Sequence, residues 1–113
     1  MLTCQPLQVV SITAAVDVAE KYFVDFNGNI CALNEKSLGV SHVNTSAGEQ
    51  LPVMAVGIAV ITTGGAIAIG GAVKSNGDGK GVIVTTGVPP EFINGFALDA
   101  STGADEYIRI KLV

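Results

Sequence analysis

His42 is the only histidine of the chain, with Ser41 beside it and Cys4, Cys31 and Ser46 elsewhere. An imidazole near a thiol or hydroxyl is the chemistry of a nucleophile activated by a base. Nothing in the sequence places a nucleophile, base and orienting acid together, and in an extended chain Ser41 and His42 point to opposite faces. His42 therefore reads as a solvent-facing or structurally satisfied side chain. The two cysteines form no CxxC pair and read as free thiols, and one histidine with two separated cysteines falls short of a metal ligand set. The acidic pairs Asp17/Glu20 and Asp105/Glu106 sit by turns, where general acid–base work and ordinary solvation have the same appearance.

The glycine-rich stretch "GGAIAIGGAVKSNGDGKGVIVTTG", Gly64 to Gly87, raises three further chemistries. A phosphate loop needs GxxxxGK[ST], in which backbone amides and the lysine surround phosphate. Here Lys74 stands where the first glycine belongs, and Gly81 follows Gly79-Lys80. A dinucleotide fingerprint must open a helix, whereas Gly77, Gly79 and Gly81 lead into "VIVTT", a strand-like run. A calcium loop started at Asn76 would put Lys80 and Gly87 where anionic ligands are required. "SNGDGKG" is left as a polar hairpin tip in which glycine supplies positive φ angles.

The elements that carry these residues are strands. Chain length, 113 residues, fits one domain. Hydrophobic residues make up 49%, charged residues 14%, and the net charge is -4. That acidity excludes a basic nucleic-acid face, and the apolar content predicts a surface shared with a partner or another copy. Leu51 to Val73 carries no charge, a length that could cross a bilayer as a helix. Its glycines, Pro52 and β-branched residues favour strands instead. "VGIAVITT" and "AIAIGGAV" are predicted as two strands joined at Gly64-Gly65. Period-two alternation places Val10, Ile12 and Ala14 on one face, Tyr22, Val24 and Phe26 on another, then Leu51, Val53 and Ala55, and finally Ile108, Ile110 and Leu112. Pro52 points to a sheet edge or strand start. "AAVDVAEK" is the one segment with any helical pattern, and the N-terminus shows no secretory signal. The fold class expected is all-β: a compact β-sandwich or β-barrel of short antiparallel strands with glycine-rich hairpins.

The chain also echoes itself. "TSAGEQLPVMAV" (Thr45 to Val56) lies residue for residue over "TGADEYIRIKLV" (Thr102 to Val113), with Thr45/Thr102, Ala47/Ala104, Glu49/Glu106 and Val56/Val113 identical, and Gly39 matches Gly95 after one residue of slippage. A turn followed by a strand is expected twice.

Taken in order, "ICALNEKSLGVSHVNTSAGEQLPVMAVGIAVI", "AIAIGGAVKSNGDGKGVIVTTG" and "INGFALDASTGADEYIRIKLV" resemble the small capsid decoration, or cement, proteins of tailed bacteriophages over residues 9 to 113. The resemblance implies an all-β subunit that assembles as a homotrimer on the outside of the head. There it would bridge major capsid proteins at three-fold positions, without enzymatic activity, cofactor, metal, nucleic acid, membrane or small-molecule substrate. Synthesis in the host cytoplasm is implied as well. Residues 1 to 8 then form an N-terminal arm, in which Leu2, Thr3, Gln5, Pro6 and Leu7 are candidates for docking to the shell, followed by a single β-domain at 9 to 113. The alternative is a carbohydrate- or protein-binding β-module, against which the shortage of Trp and Tyr counts. A small β-barrel enzyme using Cys31 or His42 is a third reading.

Overall fold

A computed structural model describes residues 4–33, 35–84 and 93–113. Eight strands form: β1 (Gln5–Thr13), β2 (Phe23–Val24), β3 (Gly39–Ser41), β4 (Gln50–Gly64), β5 (Ala72–Ser75), β6 (Gly81–Ile83), β7 (Gly95–Ala97) and β8 (Ala104–Leu112). No helix forms among the described residues: "AAVDVAEK" is an irregular segment of bends and a turn around one bridge, in which the N–H and C=O of Val18 both bond to Thr45. The Pro89-Pro90 dipeptide, a turn signal in the sequence, lies outside the described residues.

One strand organises the rest. β4 runs for 15 residues, where short strands were expected. Its first half is flanked by β1 and β3, its second half by β8 and, through one parallel bridge at Thr63 and Gly81, by β6. The circuit β4-β6-β5-β7-β8 returns to β4 and closes a barrel, with β1, β2 and β3 attached to β4. Of the two architectures expected, the barrel is the one formed. Gly57 makes the long strand possible. Its φ is +113°, and a Cβ there would stand 2.6 Å from the Gln5 carbonyl oxygen, so glycine both turns β4 and admits β1.

Alternation decides what each half buries. Leu51 and Val53 enter a small core with Ala14, Val18 and Val24. Further along the same face, Ala59 and Ile61 enter a larger core with Val73, Ile108 and Ile110. β8 carries the predicted pattern: Ile108, Ile110 and Leu112 are buried while Tyr107 and Lys111 face solvent.

Two predicted strands are corrected. β4 does not fold back onto "AIAIGGAV", because β8 already pairs along its second half. Of that run, Ile67 is buried and bridges to Ser101, the segment from Ala68 to Gly71 forms no strand, and the next strand starts at Ala72 with Val73 buried. Tyr22, Val24 and Phe26 do not share a face either. Lys21 adopts φ +68° and the following two-residue strand lies between the two cores, Phe23 in the larger and Val24 in the smaller, which leaves Phe26 exposed.

The sequence echo is one part of a repeat that covers the chain. β1, β2, β3 and the first half of β4 form a unit whose pairings recur in the second half of β4, β5, β7 and β8. Val18 opposite Thr45 answers to Ile67 opposite Ser101. Val24 opposite Gly39 answers to Val73 opposite Gly95, and Val40 opposite Met54 to Phe96 opposite Lys111. Backbone bonds repeat as well: Ser41 N–H to Tyr22 O and His42 N–H to Pro52 O match Ala97 N–H to Gly71 O and Leu98 N–H to Arg109 O. Lys21 and Gly70 both take positive φ, as do Gly48 and Asp105. The second unit adds β6 and its hairpin.

The equivalent glycines Gly39 and Gly95 are required by the same contact. A Cβ on Gly39 would lie 2.1 Å from the Met54 carbonyl oxygen, and one on Gly95 would lie 2.7 Å from that of Lys111. Backbone cannot yield cheaply, so Gly39→Ala is expected to cost about 3 kcal/mol and Gly95→Ala about 2 kcal/mol. Gly48→Ala, at positive φ in open space, costs about 1 kcal/mol. Urea unfolding of the three variants checks the order.

Candidate functional site

His42, Cys4 and Ser41 do come together, lining one cleft of about 270 Å³ with Glu20, Lys21 and Met54. Ser41 is committed to structure there: its hydroxyl donates to the Ala19 carbonyl and accepts the Tyr22 N–H at 3.1 Å. Among the described residues, no hydrogen bond joins the His42 side chain to Cys4 or Ser41. Glu20 accepts Lys21 Nζ at 2.9 Å, and that ammonium also stands 5.2 Å from the centre of the Tyr107 ring.

Cys31 does not line this cleft. Its thiol is buried and donates to the Glu35 carbonyl oxygen at 3.3 Å, while Ser75 Oγ donates to the Cys31 carbonyl oxygen at 2.8 Å. Burial, reinforced by the Glu35 carboxylate, pushes the thiol pKa up to about 12. A nucleophilic cysteine needs the opposite shift.

The other polar candidates hold loops. Asp17 accepts the Ala47 N–H, and Glu106 accepts the Thr102 N–H and hydroxyl, which draws its pKa down. Glu49, its counterpart in the repeat, accepts the Ser46 N–H. Asp105 pairs with Lys80 at 2.6 Å. In "SNGDGKG", Asn76 Oδ1 accepts the N–H groups of Asp78 and Lys80, and Gly77 and Gly79 take positive φ, the hairpin tip expected. Gly81 gives room where Phe23, Ile61 and Val73 converge, and the Phe23 N–H bonds to Gly79 O. The hairpin glycines thus serve packing against the first unit. Among the described residues no group of His, Cys, Asp and Glu could hold a metal ion.

What distinguishes the surface is apolar. Across β7, β8, β4 and β1, Phe96 lies opposite Lys111, Lys111 opposite Ile58, and Ile58 opposite Gln5. Leu7, Gly57, Ile58, Leu98 and Lys111 line a cleft of about 330 Å³ with Gln5. Of the proposed arm, Gln5, Pro6 and Leu7 belong to β1, opposite the Gly57–Ile58 region of β4, and Leu7 is 83% exposed after the β-bulge at that point. Leu2 and Thr3 lie outside the described residues.

Phe96 and Leu98 were not singled out in the sequence. Their signal was legible: β7 carries glycine and alanine inward and large apolar residues outward, the reverse of a strand whose outer face meets only water.

Asp99 fixes the loop beneath this face. It accepts Arg109 Nε and Nη2 through its two oxygens, both at 2.9 Å, and the Arg109 N–H at 3.0 Å. The Arg109 guanidinium, then its backbone N–H, hold the Asp99 pKa at about 2. A depressed carboxylate stabilises the fold above its unfolded pKa, near 3.9, and loses that contribution as pH falls toward 2. Asp99→Asn should therefore cost about 1 kcal/mol at pH 7 and much less at pH 2, read from urea unfolding at the two pH values. Cys31 should resist maleimide in the native protein at pH 7.5 and react once urea unfolds the chain.

Comparison with known proteins agrees with this picture. No curated protein sequence matches the chain. Among solved structures, it is similar to the crystal structure of the head fiber gp8.5 N base in bacteriophage phi29, with a TM-score of 0.76 and 15% identity over 94% of this chain and 95% of that one. Residues 4–112 match the phage cement protein family, so the chain belongs to that family.

Proposed function

We propose that the protein is a structural component of a phage head: a homotrimer on the outer surface that bridges major capsid proteins and stiffens the shell, made in the host cytoplasm and without catalytic activity. Family membership is the observation that carries this reading. The resemblance of the fold to a head-fibre base supports a place on the head. Physical character fits as well. Most polar side chains that could do chemistry, Ser41, Asp17, Asp105 and Glu106 among them, hold loops and turns, while Leu7, Ile58 and Leu98 line one outward apolar cleft. Repeated over a shell, modest apolar contacts sum to strong retention by avidity.

Leu7 is assigned to docking on the major capsid protein, together with the neighbouring arm residues Leu2, Thr3, Gln5 and Pro6. It is the most exposed large apolar side chain among the described residues. Burying such a group against a partner is favourable in proportion to the apolar area it removes from water.

Sedimentation of the purified protein should give a trimer, and the trimer should bind expanded heads that lack it. A monomer indifferent to heads rejects the reading. Leu7→Glu should lower head binding at least tenfold and leave unfolding free energy within about 0.5 kcal/mol, since an exposed side chain adds little to the fold.

A further inference from the structure

The repeat contains a contact that only one of its units has satisfied. In the first unit, Phe23, Val40 and Met54 form the side of the β2-β3-β4 sheet turned away from the smaller core, and all three are buried in the larger one. Their counterparts in the second unit are Ala72, Phe96 and Lys111. There Phe96 is 41% exposed, Lys111 is exposed, and the adjacent Leu98 and Ile69 are 37% and 70% exposed.

The first unit's face is covered by the second unit. Thr62 N–H, on β4, bonds to Lys21 O at 2.9 Å, and Phe23 N–H bonds to Gly79 O at 2.8 Å beside Ile61, Val73 and Gly81. The residues that make this contact have counterparts too. "VVSIT" of β1 (Val9 to Thr13) corresponds to "IAVIT" of β4 (Ile58 to Thr62), so Thr13 stands where Thr62 does. Gly28 stands where Gly81 does: Gly28 O accepts the Ala15 N–H just as Gly81 sits beside Thr63.

That second set lies on an uncovered edge. Among the described residues, β1 pairs with β4 alone. Ser11 lies opposite Pro52, which has no N–H to give and whose carbonyl is taken by His42, so the backbone groups of Ser11, and of Thr13 two residues on, point away from β4. Beside this edge, Phe26 is 64% exposed.

We infer that the chain self-associates head to tail: the outer face of β5, β7 and β8 around Phe96 and Leu98 receives the free edge of β1 and the Phe26–Gly28 turn of a second copy. The contact repeats between copies the packing that joins the two units within one. Thr13 N–H of one copy then bonds to Gly70 O of the next, as Thr62 bonds to Lys21. Because the two surfaces differ, the contact is heterologous and builds a closed ring where the rotation allows. The inference rests on the trimeric reading above and assigns the faces that make it.

Two variants test it together. Phe96→Glu/Leu98→Glu disables the face, and Thr13→Pro removes the edge donor without taking a bond from the β4 ladder. Each alone should sediment as a monomer with the strand circular dichroism of the parent. Mixed in equal amounts they should form a dimer and nothing larger, since one edge and one face remain intact. Should Thr13→Pro unfold the chain, Ser11→Pro blocks the same edge. If the parent is a trimer and both variants remain trimers, the inference fails and the trimeric reading stands. A mixture that stays monomeric overturns the head-to-tail geometry. A monomeric parent overturns both.

Discussion

The burial of one face of β4 in two successive cores is the constraint on which the other elements depend. A strand presents alternate residues to one side, so a single run must satisfy the smaller core with Leu51 and Val53 and the larger with Ala59 and Ile61. A slip of one residue would turn all four to the wrong side. Gly57 prevents a stiff, straight strand from pulling away from one core, since its positive φ turns the chain between them. Each neighbouring strand then has its register set against a fixed ladder, and the equivalent glycines Gly39 and Gly95 let β3 and β7 approach their neighbours' carbonyls.

This arrangement explains how the charged groups are used. With the interior filled by aliphatic side chains, carboxylates and lysines can serve only at the rim. There they close turns: Asp99 on Arg109, Asp105 on Lys80, Glu106 on Thr102 and Asp25 on the N–H groups of Asn27 and Asn29. Individually the exposed ion pairs among them contribute little, whereas Asp25 is buried. Collectively they hold loops that have few apolar residues of their own. The outer sheet surfaces are then left to the apolar side chains, which is where contact between subunits has most to gain.

Much of the fold was legible because its signals are local. Alternation in "EYIRIKLV" and "QVVSITA", the uncharged β-branched run and the glycine turns specify strands residue by residue. The match of Thr45–Val56 with Thr102–Val113 gave one end of the repeat. Its other members escaped because they share geometry more than residue type: Lys21 answers to Gly70 and Phe23 to Ala72. Pairing partners are non-local, so the false hairpin at Gly64-Gly65 was unavoidable from spacing alone; β8, which takes the place of the expected partner, lies some forty residues further on. The cleft joining Cys4 to His42 was equally hidden, since β1 and β3 meet only through β4. The outward Phe96 and Leu98 could have been read, had β7 been judged by which side its bulk falls on.

The position of Cys31 has a consequence for ageing. Oxidation by peroxide proceeds through the ionised sulfur, and a thiol held near pKa 12 keeps only about one part in ten thousand in that form at pH 8. A particle carrying many copies of this chain through an oxidising medium would therefore not accumulate sulfenic acid or mixed disulfides at that position, whatever befalls more accessible sulfur. Cys31 itself would remain a thiol for as long as the barrel stays closed.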